Sequence, residues 1–134
     1  MYEWDPDLET GHEKIDSQHK QLIEALNNLI NAFRNGKGKE QIVETMEFLT
    51  AYSIMHFSME DNLMAKCEYP NYLMHKSLHD EFRVVLKNLT ERLVNDGPSE
   101  DLIDIVISTI RDWLINHIKG DDFRMATYVK TRNL

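Results

Sequence analysis

Histidines are the residues in this chain whose number and spacing most clearly suggest chemistry. The sequence has 134 residues and six histidines, against only five glycines and three prolines. Five of the six continue the apolar stripes of predicted helices, as does Glu60; the five are His19, His56, His75, His79 and His117. Burying an imidazole or a carboxylate without a partner costs several kcal/mol. Five such histidines in one core need a common cause, and metal binding supplies one.

The spacing and type of these residues indicate which metals could bind. His56 with Glu60, and His75 with His79, lie four residues apart, so each pair projects from one helix face. Imidazole-rich sites suit zinc, copper, iron or nickel, and a chain with one cysteine cannot form the usual thiolate zinc site. Five imidazoles exceed what one four-coordinate zinc can use, so we expect two metal ions. In a six-coordinate iron pair, these histidines, two bridging carboxylates and one shared oxygen leave one position open for a small ligand.

A second bridging carboxylate is available in the segment HIKGDDF, and spacing leaves its identity open. Asp121 is four residues after His117 and shares its face in a regular helix. Asp122 is five residues after His117, about 140° away unless the helix distorts. Gly120 permits such a distortion or an early helix end. Spacing alone favours Asp121.

The elements that must position these side chains are four amphipathic helices. Glycine and proline divide the chain into uninterrupted intervals at 12–35, 39–69, 71–96 and 99–119, and apolar residues recur in each at spacings of three and four. With short connections, this pattern predicts an all-α fold, an antiparallel up-down-up-down four-helix bundle. We expect Asp16 and Ser99 to be N-caps, residues 1–14 to form an arm, and 121–134 to form a short closing helix. In this topology the five histidines of the stripes meet at one end of the bundle, whereas His12 is expected to be a solvated arm residue.

Composition narrows the classes of function. The length predicts a single domain over 1–134, and the formal net charge of -8 argues against binding nucleic acid or an anionic membrane. The N-terminal segment has no apolar run typical of a secretory signal, and no stretch is long enough to span a membrane. We therefore expect a cytoplasmic protein, and a monomer, because no apolar stripe beyond the predicted core is evident.

The motifs resemble those of the hemerythrin family, specifically its bacterial single-domain members, over nearly the whole chain. They are Trp4 in the arm, I-D-S-Q-H ending at His19, H-F-S-M-E at 56–60, H-K-S-L-H at 75–79 and W-L-I-N-H-I-K-G-D-D at 113–122. The family pattern ends in H-x4-D, which assigns the second bridging carboxylate to Asp122. This chain has Asp61 after Glu60 where the family often has a second glutamate, and we expect no change in the ligand set.

The resemblance implies reversible dioxygen binding at a non-haem centre of two iron ions with an oxo or hydroxo bridge. It assigns His75, His79 and His117 to one iron, and His19 and His56 to the other, which keeps the open position. Glu60 and Asp122 would bridge both ions. Trp113 and Leu114 precede His117 by four and three residues and are candidate walls of a dry ligand pocket.

Three classes of function are compatible with such a site. The first is a dioxygen carrier, store or delivery protein that is not an enzyme and that could also bind nitric oxide or azide. The second is a di-iron enzyme that handles peroxide or nitric oxide, and the third is an oxygen-sensing or redox-sensing module. The histidine-rich ligand set, which lacks the Glu-x-x-His motifs of ferritin-like di-iron proteins, favours the first.

Overall fold

The computed structural model describes residues 6–134, and four long helices dominate it. A 3₁₀ turn at Pro6–Leu8 precedes α1 (Glu13–Arg34), α2 (Gly38–Lys66), α3 (Tyr72–Asp96) and α4 (Glu100–Asn116). A π-helical turn at His117–Asp122 then leads into α5 (Phe123–Thr131). The described part of the chain contains no strand. The predicted all-α class is confirmed, and the closing helix is present as a continuation of α4 through the π turn.

The four long helices form an up-down-up-down bundle. Helices consecutive in the chain pack against each other, and α4 also contacts α1, which closes the ring. The connections at 35–37, 67–71 and 97–99 are too short for anything but antiparallel neighbours. Gly36 and Gly97 make two of these turns with φ of 74° and 73°, a conformation that glycine adopts at little cost.

One of the two predicted N-caps is confirmed and the other is wrong. The Ser99 hydroxyl accepts a hydrogen bond from the Leu102 amide at 3.1 Å, as expected of an N-cap. Helix α1, however, begins before Asp16, and the side chain of His12 caps it by accepting from the Ile15 amide. The Asp16 carboxylate instead accepts from the Thr10 amide and hydroxyl at 2.8 and 2.7 Å, which fixes the arm against α1.

The arm packs onto the bundle and meets the C-terminus. Leu8 is fully buried in the larger apolar core. The expectation that His12 is a solvated arm residue is wrong: it is half-buried, it caps α1, and its Nε2 lies 3.0 Å from the Leu134 carbonyl oxygen. The Lys130 ammonium donates to the Thr10 carbonyl at 3.1 Å. Trp4 lies outside the described residues.

Two apolar clusters fill the bundle, and residues of both lie close in the chain to the predicted site residues. In α1, His19 stands between Ile15 of the smaller cluster and Leu22 of the larger one. The smaller cluster joins the end of α2 to α5, and the larger one fills the rest of the bundle. Apolar residues thus flank His19 on both sides along α1. Within residues 6–134, no helix is both long and apolar enough to cross a bilayer.

Candidate metal centre

Seven buried side chains from α1, α2, α3 and the π turn meet inside the bundle. Each is at most 4% exposed; they are His19, His56, Glu60, His75, His79, His117 and Asp122. They form two overlapping groups whose potential ligand atoms lie within 4.8 Å of one another. We call Glu60, His75, His79, His117 and Asp122 the three-histidine half, and His19, His56, Glu60 and Asp122 the two-histidine half. The structure therefore brings together all the residues that the sequence predicted as metal ligands.

In the three-histidine half, each imidazole presents Nε2 to one oxygen of a shared carboxylate. Glu60 Oε1 lies 3.0 Å from His79 Nε2 and 3.3 Å from His75 Nε2. Asp122 Oδ1 lies 3.0 Å from His75 Nε2 and 3.1 Å from His117 Nε2. Helices α2 and α3 and the π turn supply these groups, so this half ties three elements together.

The other oxygen of each carboxylate faces the two-histidine half. Glu60 Oε2 lies 3.0 Å from His56 Nε2 and 3.5 Å from His19 Nε2. Asp122 Oδ2 lies 2.9 Å from His19 Nε2. Both carboxylates thus stand between the halves with one oxygen toward each, the placement that a bridging ligand requires.

Several of these atoms are buried without a hydrogen bond, although they lie near one another. Glu60 Oε2, both Asp122 oxygens and the Nε2 atoms of His19 and His117 have no hydrogen-bond partner in the described residues. Buried polar atoms are normally satisfied, and an unsatisfied one costs about 1–3 kcal/mol. Imidazole nitrogens and carboxylate oxygens are the donor types that iron and zinc accept. The donor set therefore fits metal ions placed between the two carboxylates.

Burial and ion pairing shift the pKa values of the cluster residues in opposite directions. Burial lowers the pKa of His19, His75 and His117, but Asp122 and Glu60 outweigh it, with Asp121 adding to the effect at His117. The pKa values rise to about 9, 9 and 10 respectively. Burial likewise raises the pKa of Glu60, yet the neighbouring His56, His19 and His75 lower it well below its usual range. The pKa of Asp122 is also lowered. Two buried anions thus hold positive charge around them, as a cation site requires.

The outward-facing nitrogens of three histidines have partners that the sequence analysis missed. His79 Nδ1 lies 3.1 Å from Asp61 Oδ1, and His117 Nδ1 lies 3.1 Å from Asp121 Oδ2. His56 Nδ1 lies 2.7 Å from Gln18 Oε1. Such partners fix the imidazole tautomer and ring orientation at metal sites. Each of the three is a polar residue directly beside a predicted ligand in the sequence, which is the signal that could have identified it.

The π turn decides where the two adjacent aspartates lie. A regular helix would place Asp121 on the face of His117, but the chain is π-helical from His117 to Asp122. The choice of Asp121 from regular-helix spacing is therefore wrong, and the helix does not end at Gly120. The distortion that Gly120 permits is the alternative that the structure confirms. The wider turn places Asp122 in the cluster, fully buried, and Asp121 outside it, with its side chain 23% exposed.

The two candidate pocket residues, Trp113 and Leu114, have different surroundings. Trp113 stacks on the ring of His117 with centroids 4.4 Å apart and also contacts Phe82 at 4.3 Å, so it covers the three-histidine half. Leu114 is buried in the larger apolar cluster. Their role as walls of a ligand pocket stays a prediction.

Comparisons with known proteins agree with this geometry. The model of the family described as "Hemerythrin HHE cation binding domain" matches residues 10–129. A bacteriohemerythrin of Pseudomonas aeruginosa (strain LESB58) is 36% identical over 119 residues, which are 89% of this chain and 75% of the relative. A myohemerythrin of Theromyzon tessulatum is 28% identical over 92% of this chain and 89% of its own length. A crystal structure of wild-type hemerythrin matches with a TM-score of 0.79 and 27% identity, covering 96% of this chain and 97% of that chain.

Proposed function

Because the chain belongs to the hemerythrin family, we propose that it binds dioxygen reversibly at a centre of two iron ions. The observation that carries the proposal is the division of the cluster into two halves that share Glu60 and Asp122. Five residues surround one position and four surround the other. When bound, a ferrous pair would supply two electrons and one open coordination position to the incoming oxygen molecule.

The residues of the two halves would act differently. His75, His79 and His117 would hold one ion together with the two carboxylates. His19 and His56 would hold the other with the same carboxylates, and because this half has one imidazole fewer, a small ligand would bind there. That position also suits nitric oxide and azide as ligands.

Burial of the cluster favours reversible binding of dioxygen. His19 and His56 are each 1% exposed, and Leu114 is 2% exposed among the apolar side chains of the larger cluster. Exclusion of water protects a bound oxygen species from proton transfer and loss. We propose Leu114 as a wall of this dry space, and Trp113 as the residue that holds His117 through ring stacking.

A spectroscopic cycle tests the proposal. Apoprotein is loaded with ferrous iron under argon, exposed to air and then returned to argon, while the visible spectrum is recorded. Reversible binding predicts an absorption band that appears with oxygen, disappears when oxygen is removed and returns in a second cycle. Failure to take up iron would overturn the proposal, and irreversible oxidation or rapid turnover of added peroxide would favour the enzyme instead.

A pair of neighbouring substitutions tests the ligand assignment. We expect Asp122→Ala to abolish binding of the iron pair, because it removes an oxygen from each half. Asp121→Ala should retain two irons with reduced affinity, since the only contact of Asp121 with the cluster is to the outward nitrogen of His117. The iron content of the purified, reconstituted variants distinguishes the two. Loss of both irons only in Asp121→Ala would reverse the assignment.

A further inference from the structure

We propose that Asp61 and Asp121 are positioning residues that make the three-histidine half the tighter metal position. The two-histidine half then fills second and empties first. This inference rests on the proposed function, since it concerns the same pair of iron ions. It adds an order of loading and names the residues outside the ligand set that produce it.

The outward nitrogens of the two halves have chemically different partners. In the three-histidine half, two imidazoles face carboxylates: His79 faces Asp61, and His117 faces Asp121, both at 3.1 Å. In the two-histidine half, His56 faces the neutral amide oxygen of Gln18 at 2.7 Å. The Nδ1 atom of His19 is buried and has no hydrogen-bond partner in the described residues. Anionic partners thus occur on one side of the cluster.

A carboxylate partner strengthens an imidazole ligand in two ways. It accepts the Nδ1 hydrogen, which leaves the Nε2 lone pair directed at the cluster, and its charge makes that lone pair more basic. Charge-assisted hydrogen bonds are also about twice as strong as neutral ones. An amide oxygen, such as that of Gln18, fixes the ring but adds no charge. The three-histidine half therefore has one more imidazole than the two-histidine half, and two of its imidazoles have a more basic Nε2.

The two aspartates are themselves held in place. Asp61 is on α2 and reaches His79 on α3, with its side chain only 17% exposed. Asp121 accepts from Arg124 at 2.7 Å through the oxygen that does not face His117. The side chain of Arg124 is 59% exposed and that of Asp121 is 23% exposed, so solvent screens the charge of Arg124 more than that of the carboxylate. Both aspartates therefore present a fixed anionic oxygen to a buried ring.

Stepwise iron binding provides the experiment. Apoprotein is titrated with Fe²⁺ under argon in the presence of a chromogenic chelator, and two macroscopic dissociation constants are fitted. His56→Ala and His79→Ala assign the steps to the halves. We expect His56→Ala to remove the weaker step and to keep the tighter one, and His79→Ala to weaken the tighter step.

Substitutions of the outer partners then test the origin of the difference. Asp61→Asn and Asp121→Asn keep an acceptor but remove the charge, and each should weaken the tighter step about 10-fold, within the usual effect of such partners. Gln18→Glu should tighten the weaker step by a similar factor, a gain that structural damage cannot produce. Asp112→Asn is the control, because Asp112 is 68% exposed and pairs with Arg111.

The results separate this inference from the proposed function. Two equal steps in the unaltered protein would overturn the order of loading while leaving the iron pair intact. An Asp61→Asn effect confined to the weaker step, or a Gln18→Glu protein with no gain, would overturn the role of the outer partners. No iron uptake in the unaltered protein would overturn both proposals.

Discussion

Loading the apoprotein with ferrous iron at pH 7.5 should release about three protons from its histidines. Burial lowers the pKa of His19, His75 and His117, but the neighbouring carboxylates of Asp122 and Glu60, and of Asp121 at His117, raise the pKa to about 9, 9 and 10. In the apoprotein these imidazoles are therefore protonated at neutral pH. A metal ion requires the Nε2 lone pair, so each histidine must lose its proton when iron binds.

The number of protons follows from the pKa values. At pH 7.5, a group with a pKa of 9 is about 97% protonated and one with a pKa of 10 is more than ~99% protonated, which gives about 2.9 protons in total. Three histidines with the ordinary pKa of about 6.5 would carry only about 0.3 protons. A water molecule that becomes a bridging hydroxide adds about one proton in either case. The two alternatives thus differ by more than two protons.

A weakly buffered titration with an indicator dye measures this release. Fe²⁺ is added under argon to apoprotein at pH 7.5 and at pH 9, and the colour change is calibrated with standard acid. We expect about three to four protons at pH 7.5 and about one fewer at pH 9, where His19 and His75 are half deprotonated already. Asp112→Asn, a change at an exposed carboxylate, should release the same number. Fewer than two protons at pH 7.5, with full iron uptake, would refute the assigned charge state of the cluster.

Three further predictions concern stability. The pKa of His19, His75 and His117 is higher in the folded apoprotein than in the unfolded chain, so protonation of these histidines stabilises the fold. This contribution is complete below about pH 6.5 and is lost as pH rises through about 9–10. The urea midpoint of the apoprotein should therefore fall over that range. Ser99→Ala should cost about 1 kcal/mol in urea unfolding, because it removes the N-cap of α4, whereas Ala at the exposed Ser58 should cost nothing. Gly120→Ala should raise the melting temperature by about 2–4 °C, because a Cβ there meets only Arg124 at 3.6 Å; a fall would show that the π turn needs glycine.

Helix periodicity and burial cost were sufficient to predict the bundle and the convergence of its histidines. An imidazole on an apolar stripe is unfavourable unless something compensates for its burial, so the stripe that identifies each helix also identifies His19, His56 and His117 as exceptional. The same reasoning failed at the start of α1. There a histidine, rather than Asp16, accepts the hydrogen bond of the first turn, a choice that depends on how the arm returns to the C-terminus.

The outer partners could not be derived from stripes, because a stripe records only which residues face the core. Asp61 lies off the stripe of α2, but α3 passes close enough for the Asp61 carboxylate to reach His79. Gln18 reaches His56 across α1 and α2 in the same way. These contacts depend on the distance and rotation between helices, which a single-helix pattern does not contain. What the sequence does show is that each of these outer partners is adjacent to a predicted ligand.

The π turn explains why two consecutive aspartates can serve one histidine from opposite sides. Successive residues of an α-helix are about 100° apart, so a regular helix could direct only one of the two at the ring of His117. In the wider turn, Asp122 reaches Nε2 at 3.1 Å while Asp121 reaches Nδ1 at the same distance. The imidazole is thereby held at both nitrogens by a single segment of chain. Because the helix changes locally to a π turn, the two adjacent aspartates have different roles: Asp122 is a buried carboxylate of the cluster, and Asp121 is an outer partner. Neither spacing nor residue type could assign these two roles.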